Sequence, residues 1–189
     1  MNTSSGTSVG DIQRYDANTV SSVFPVIGRL YEVVYREPPY CESAKDAAEF
    51  VGGMPRRAAQ PAFRLVVAIT DGKPVGFAFG HQLTADTKWW QGATTPLPHS
   101  MVKEYAGRTF AIIELAVAAE YRRRGIAKAM HDALLVDAKE ERATLLVRPE
   151  ARPARTAYER WGYATVGAIR PWPEAPLYDA MVLNLRRLR

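Results

Sequence analysis

The feature that most constrains the fold is an apolar run followed at once by an arginine-rich turn and an amphipathic segment. The run TFAIIELAV, residues 109–117, has the composition of a buried β-strand. Three mutually repelling arginines at 122–124 follow it, then Gly125, and apolar residues recur at helical spacing beyond. A glycine between a strand and a helix lets an anion approach the free N–H groups of the first helical turn. The pattern therefore predicts a strand–turn–helix unit that binds a phosphate-bearing ligand.

Length and composition describe a globular chain of one-domain size. It has 189 residues, 47% hydrophobic and 24% charged, and Cys41 is its single cysteine, so no internal disulfide is possible. The chain starts with polar and small residues, without the apolar core of a secretory signal, and no window is apolar enough to span a bilayer. We therefore expect a disordered tail at residues 1–10, one domain over residues 11–189 and a cytoplasmic protein.

Hydrophobic periodicity predicts strands and helices mixed along the chain, which is typical of an α+β domain. Strands are expected at DIQRYD, TFAIIELAV, ATLLVR, GYATVGAI and LYDAMVLNL, with a hairpin in AFRLVVAITDGKPVGFAFGHQL. Helices are expected in residues 17–40, where Pro25 begins or kinks the main helix, after a Ser43 cap, after the arginine-rich turn, and before Gly162. Residues 84–108 have no clear period, and a connection of this length is usually functional or disordered.

The arginine-rich turn matches neither the Walker pattern GxxxxGK[ST] nor the dinucleotide pattern GxGxxG. Residues 122–127, RRRGIA, instead resemble the signature [QR]-x-x-G-x-[GA] of the GNAT superfamily of N-acyltransferases, which bind acetyl-coenzyme A. The preceding ELAV resembles the end of the family's fourth strand. Further along, ARTAYERWGY resembles the second family motif, A-x-x-x-Y-E-x-x-G-[FY]. Two motifs in order, with the required elements between them, make the resemblance specific, and it covers most of the chain.

The resemblance implies a GNAT-like α+β fold. Such a fold has a central mixed, mostly antiparallel twisted sheet of about seven strands, flanked by about four helices and splayed between strands 4 and 5. The hairpin at DGKPVG fits the family's second and third strands, and the two N-terminal helices fit its variable substrate-side helices. The chain departs from the family at Ala151, where Asn is frequent, so one hydrogen bond of the family is absent here.

The resemblance also implies acetyl-coenzyme A as co-substrate, held by backbone N–H groups of the turn and by the backbone of the fourth strand, which pairs with the pantetheine arm. The arginines and a nearby lysine would add charge against the phosphates. The cofactor-binding residues expected on this basis are Leu115, Ala116, Val117, Arg122, Arg123, Arg124, Gly125, Ile126, Ala127, Lys128 and Tyr158. The alternative is a capped surface turn with solvated arginines. No His, Cys and carboxylate spacing resembles a metal site, so no metal is expected.

Two side chains are expected to be catalytic. Glu114 lies inside an apolar strand, where a carboxylate is costly unless it reaches a cleft or pairs with a base. Desolvation there would raise its pKa toward the range of a general base, and the resemblance implies that role, directly or through water. A structural ion pair is the alternative. The motif tyrosine is Tyr158, and the resemblance implies that its hydroxyl protonates the leaving thiolate.

The long connection at residues 84–108 carries an aromatic pair, Trp89 and Trp90. These indoles would either stack on a planar or cationic acceptor as substrate-binding residues or pin the connection to the body of the protein. The residues alone leave both interpretations open.

The function implied is direct transfer of an acetyl group from acetyl-coenzyme A to a primary amine. The acceptor is expected to be a small molecule, such as an antibiotic or another amine metabolite, and dimers are common in the family. Alternatives are a protein N-terminal or lysine acetyltransferase, and a non-catalytic coenzyme A-binding regulatory domain. The net charge of +5 also suits nucleic acid, but no helix-turn-helix or aromatic RNA-binding pattern is present. Neither nucleic acid nor a membrane is therefore an expected partner.

Overall fold

The predicted strands form one seven-stranded sheet in the computed structural model, which describes residues 10–187. The strands are β1 (Asp11–Tyr15), β2 (Arg64–Thr70), β3 (Lys73–Gln82), β4 (Thr109–Val117), β5 (Arg142–Val147), β6 (Ala164–Ile169) and β7 (Tyr178–Asn184). Their order is β1-β2-β3-β4-β5-β7-β6. Strands β4 and β5 are parallel, whereas the pairs β1–β2, β5–β7 and β6–β7 are antiparallel. The predicted mixed, mostly antiparallel sheet is confirmed.

The helices are α1 (Phe24–Tyr35), α2 (Ala44–Gly52), α3 (Met54–Ala58), α4 (His99–Val102), α5 (Ile126–Leu135) and α6 (Arg152–Arg160). Four of them have nine or more residues, as the sequence predicted. The short helices α3 and α4 were not predicted. Most of the predicted tail, residues 1–10, lies outside the described residues, and the single domain over residues 11–189 stays a prediction.

Local signals set the helix and turn boundaries as expected. Pro25 lies in the first turn of α1, where its missing N–H costs nothing. Ser43 caps α2 in a capping box, since its side chain accepts from the Asp46 N–H and the Asp46 carboxylate accepts from the Ser43 N–H. Asp71 and Gly72 both have positive φ, 51° and 71°, which is the backbone of a two-residue hairpin turn. The predicted hairpin between β2 and β3 is therefore confirmed.

The chain folds into two compact units. The first unit comprises residues 10–59, Phe63–Phe79 and Glu114–Asp137, and the second comprises Gln60–Ala62, Gly80–Ile113 and residues 138–187. In the first unit, Phe50 of α2 packs on Phe77 and Phe79 of β3, with ring centroids 5.9 and 6.1 Å apart. All three rings are buried, so they fix α2 against the sheet.

The second unit has its own core, in which Phe110, Ile169 and Met181 are fully buried. The parallel pairing of β4 with β5 lies within it and covers three residues of each strand, from Thr109↔Arg142 to Ala111↔Thr144. Strand β4 continues from Ile112 to Val117 beyond this paired segment. This short pairing is the predicted splay between strands 4 and 5.

Over residues 10–187, no helix combines the length and the apolar character needed to cross a bilayer.

Candidate active site

The carboxylate of Glu114 is held by side chains of α1 and α3 within the first unit. The Tyr35 hydroxyl, on the last residue of α1, donates a hydrogen bond to Glu114 Oε2. Arg57 of α3 interacts with Glu114 electrostatically, donates to the Phe50 carbonyl at 2.9 Å and lies 5.4 Å from the Phe50 ring centre. The carboxylate that the sequence singled out is therefore flanked by one hydroxyl donor and one cation.

Aromatic side chains pack around Tyr35, which donates to this carboxylate. The Tyr31 ring stacks on Phe50 at 3.9 Å and contacts Tyr35 at 4.4 Å, and Tyr40 meets Tyr35 edge-on at 4.9 Å. Tyr31 donates its own hydroxyl to Glu42 Oε2 at 2.6 Å. Four rings thus pack around Tyr35, the donor to this carboxylate, and a second carboxylate, Glu42, is bonded to Tyr31.

The surroundings raise the pKa of Glu114 to about 7. Burial is the main cause, because desolvation penalises the charged form. The Tyr35 hydrogen bond and the Arg57 charge act in the opposite direction, while the negative charge of Glu42 raises the pKa further. A carboxyl group with this pKa exchanges protons readily at neutral pH, which is the property that a general base needs.

The end of β4 directs alternate backbone groups to its two sides. The Ala118 N–H donates to the Val75 carbonyl of β3 at 2.9 Å, and a Cβ built on Gly76 would lie 2.7 Å from the Ala116 carbonyl. Residues 116 and 118 therefore face β3. Because successive strand residues alternate in direction, Val117 between them directs its backbone groups away from β3, and its carbonyl accepts from Arg122 Nε at 2.9 Å. The Val117 N–H is therefore the backbone donor that this strand end directs away from β3.

The turn between β4 and α5 has the backbone that close anion approach requires. Arg123 and Gly125 have positive φ, 60° and 82°, and Gly125 is the N-cap residue of α5. No side-chain hydrogen bond caps this helix, so a side chain does not occupy its first-turn N–H groups. Ile126 is buried, which anchors the helix start in the first unit.

The basic side chains around the turn have different surroundings. Arg122 donates through Nε to the Val117 carbonyl at 2.9 Å and through Nη1 to Glu37 at 2.8 Å. The Arg124 guanidinium lies 5.4 Å from the Tyr121 ring centre. Lys128 pairs with Asp132 one turn later on α5, at 2.6 Å. The arginine run is therefore not a uniform set of free positive charges.

Tyr158 lies in the second unit, on α6. It is 9% exposed and packs edge-on against Trp161 and Tyr163, with ring centroids 5.4 and 5.8 Å apart. Gly162, with φ of 94°, follows the helix and lets the chain turn toward β6. The second family motif thus builds one aromatic group at the end of α6.

The two tryptophans of the long connection also lie in the second unit. Trp90 is 7% exposed, donates through Nε1 to Glu104 at 2.9 Å, and has the Arg142 guanidinium 5.2 Å from its ring centre. Trp89 packs beside it against the core around Ile169. This environment favours the interpretation that the pair pins residues 84–108, while a substrate-binding role of Trp89 and Trp90 stays a prediction.

Within the first unit the structure brings together Glu114, the strand end Leu115–Val117 and the turn from Arg122 to Lys128. Sequence reasoning missed Tyr35 and Arg57, which hold the carboxylate. The sequence carried a weak signal for each, because Tyr35 ends an apolar helical pattern and Arg57 lies in the basic cluster MPRR. Neither pattern indicates a partner on a distant strand.

Comparison with protein families gives a match to the Acetyltransferase (GNAT) family over residues 27–163. This range contains most of α1, all of α2 and α3, the arginine-rich turn and Tyr158. A search of the curated proteins found no match.

Solved structures of acetyltransferases are similar in fold. An aminoglycoside 6′-acetyltransferase type Ii is 17% identical, with 93% of this chain and 97% of that chain covered and a TM-score of 0.62. A chimera of the spermidine N-acetyltransferase SpeG from Vibrio cholerae is 16% identical, with coverage of 95% and 98% and a TM-score of 0.60. A structure described as histone acetyltransferase HPA2 and related acetyltransferase, from Corynebacterium glutamicum, is 17% identical, with coverage of 93% and 96% and a TM-score of 0.63. These neighbours share a fold and carry names with different acceptors.

Proposed function

The chain belongs to the acetyltransferase (GNAT) family, and we propose that it transfers the acetyl group of acetyl-coenzyme A to a primary amine of a small molecule. The observation that carries the proposal is the carboxyl group of Glu114. It lies on β4, directly before the strand end Leu115–Val117, and its pKa is raised to about 7. A base of this strength takes up a proton from an amine at neutral pH and releases it again.

The residues of the first unit fit acetyl-coenzyme A, which supplies an activated acetyl thioester when bound. Gly125 leaves the start of α5 without a Cβ or a side-chain cap, so pyrophosphate oxygens have backbone N–H groups to accept from. We assign the pantetheine amides to the backbone of the strand end Leu115–Val117, as the family resemblance implies. We propose that Arg123, Arg124, Ile126 and Ala127 contact acetyl-coenzyme A from the same turn.

Glu114 acts as the general base in this proposal, directly or through a water molecule. Its Oε2 atom accepts from Tyr35, which leaves Oε1 to accept from the acceptor amine or from that water. The Val117 N–H is the donor for negative charge that develops on the thioester carbonyl oxygen. Tyr158 donates its hydroxyl proton to the departing sulfur, and this role comes from the family motif.

A small amine is the acceptor that the surroundings of Glu114 favour. Tyr35 donates to its carboxylate, Tyr40 packs on the Tyr35 ring, and Glu42 adds negative charge, which together suit an organic amine. Two of the similar structures bear the names of enzymes for small amines, an aminoglycoside and spermidine. A protein N-terminus or lysine remains the second candidate, because a histone acetyltransferase name occurs among the neighbours. Free-thiol release across an acceptor panel of small amines and peptides separates the two.

We expect Gly125→Ala to weaken acetyl-coenzyme A binding by at least about tenfold, which corresponds to about 1.4 kcal/mol. The new Cβ strains a backbone with φ of 82° and occupies the approach to the helix start. Calorimetric titration of acetyl-coenzyme A into both proteins measures the effect.

The matched control for this substitution is Gly72→Ala. Its φ of 71° imposes similar strain, but a Cβ there meets nothing within 4 Å and the residue lies in the β2–β3 turn. This variant should keep the affinity of the wild type. No binding of acetyl-coenzyme A to the wild-type protein would refute the cofactor and the proposed function with it. Weaker binding of the 3′-dephospho analogue would indicate a charged contact to the 3′-phosphate.

We expect Tyr158→Phe to lower kcat by roughly 100-fold with little change in KM, since it removes one hydroxyl and keeps the buried ring. Steady-state kinetics with the best acceptor measure both constants. Tyr163→Phe removes a hydroxyl from the same aromatic group and is the control. Equal rates for wild type and Tyr158→Phe would show that another group or water protonates the sulfur.

A further inference from the structure

The Tyr35 hydroxyl is the closest partner of the Glu114 carboxylate, and it comes from a helix that the reaction otherwise does not use. Tyr35 is the last residue of α1 and is 9% exposed, with Tyr31 and Tyr40 packed against its ring. These contacts restrict the side chain to few orientations. The hydroxyl that reaches Glu114 Oε2 is therefore fixed by packing on two sides.

We propose that Tyr35 is a positioning residue for the base: its hydroxyl binds Oε2, aims Oε1 at the acceptor and favours the ionised carboxylate. A phenol at neutral pH donates to a carboxylate and gains most from that bond when the carboxylate is charged. The inference rests on the proposed function, because it assigns Tyr35 a role through Glu114.

The other charged groups that face Glu114 make this donor necessary. Burial disfavours the ionised form of Glu114. The negative charge of Glu42, from the segment between α1 and α2, disfavours it further. Arg57 from α3 opposes both, but it is itself partly desolvated and also bound to the Phe50 carbonyl. Tyr31 faces the site from α1 and gives its hydroxyl to Glu42. Tyr35 thus adds a second stabilising contact for the ionised form, beside the charge of Arg57.

The direction of the effect follows from these contacts. The Tyr35 hydrogen bond lowers the pKa of Glu114 from the value that burial alone would give. Without that hydroxyl, the carboxyl group holds its proton to a higher pH. Because only the ionised form is a base, activity would then appear at higher pH, and the loss would be largest on the acid side.

The test compares Tyr35→Phe with Tyr31→Phe over the pH range of activity. For Tyr35→Phe we expect the acid limb of kcat/KM to move to higher pH, with a loss roughly tenfold greater at about pH 6 than at about pH 9. Tyr31→Phe is the matched control, because it removes a hydroxyl one helical turn earlier that binds Glu42 and not Glu114. Its acid limb should move much less than that of Tyr35→Phe, because its hydroxyl reaches Glu114 only through Glu42.

A second readout does not depend on turnover. Infrared difference titration follows the carboxyl band that Glu114→Gln removes, and that band should titrate at higher pH in Tyr35→Phe than in wild type. An equal loss of activity at every pH, with an unmoved band, would mean that Tyr35 only supports the fold and would overturn the inference. A moved band in a protein that binds acetyl-coenzyme A but acetylates no amine would support the inference on Tyr35 and refute the proposed function.

Discussion

Replacing Glu114 with Gln is expected to lower kcat by about 10²- to 10⁴-fold, the usual worth of a general base. Glutamine keeps the shape and still accepts the Tyr35 hydrogen bond, but it cannot take up the proton of an amine. The profile of kcat/KM against pH measures this change. The acid limb near pH 7 should disappear, and the residual rate should rise with the fraction of free amine in solution.

The same variant should be more stable than the wild type above pH 7. The folded protein raises the pKa of Glu114 from its ordinary 4.5 to about 7, so the folded state binds this proton more tightly than the unfolded state. The free energy of unfolding therefore falls as pH rises from about 4.5 to about 7. Above that range the loss of stability caused by the ionised Glu114 no longer changes with pH. It amounts to about 3 kcal/mol, since one pKa unit corresponds to about 1.4 kcal/mol.

Urea denaturation of both proteins at acid and alkaline pH tests the stability effect. The two proteins should differ least near pH 4, where the wild-type carboxyl is protonated in both states. Unchanged affinity for acetyl-coenzyme A is the control for intact folding. Wild-type rates in Glu114→Gln, with the acid limb preserved, would assign the base to a different group or to water alone.

Replacing Arg142 with Met is expected to destabilise the protein by about 3–5 kcal/mol. The Arg142 guanidinium donates to Glu104 Oε1 at 2.7 Å, to the Met101 carbonyl at 2.7 Å and to Thr109 Oγ1 at 2.8 Å. The Glu104 side chain is fully buried. Without Arg142 it would remain as a buried carboxylate that lacks its cation.

The double variant Glu104→Gln/Arg142→Met separates loss of the ion pair from loss of packing. It removes both charges, so it should recover a large part of the stability that Arg142→Met loses. Urea denaturation of the two variants and the wild type measures the difference. Equal destabilisation in the single and double variants would show that the uncompensated charge is not the cause.

We also expect faster proteolysis within residues 84–108 in Arg142→Met, since Trp90 is bound to the same carboxylate.

The elements that local patterns specify were predictable from the sequence. Strand β4 has the predicted bounds, and the Ser43 cap, the Asp71–Gly72 turn and the glycine start of α5 all lie where their local chemistry placed them. These signals act over a few residues, so one sequence is enough to find them. The resemblance supplied the order of the elements and the parallel pair of strands.

The partners of Glu114 were not predictable for the opposite reason. Tyr35 is 79 residues away along the chain, and Arg57 lies on the short helix α3, which local patterns missed. Both are ordinary helical residues by their local pattern, and only the packing of helices on the sheet brings them to the carboxylate. The same applies to Trp90, which lies in the connection at residues 84–108 and has the guanidinium of Arg142, from β5, over its ring.

The contact between Arg122 and the Val117 carbonyl explains which chemistry the first position of the family signature requires. That position admits Gln or Arg, two side chains that share an N–H donor but differ in charge. Here the donor closes the turn on the strand end, and Glu37 neutralises the positive charge. In this chain the position thus forms a hydrogen bond between strand and turn, and we propose that Arg123 and Arg124 supply the electrostatic attraction for a phosphate.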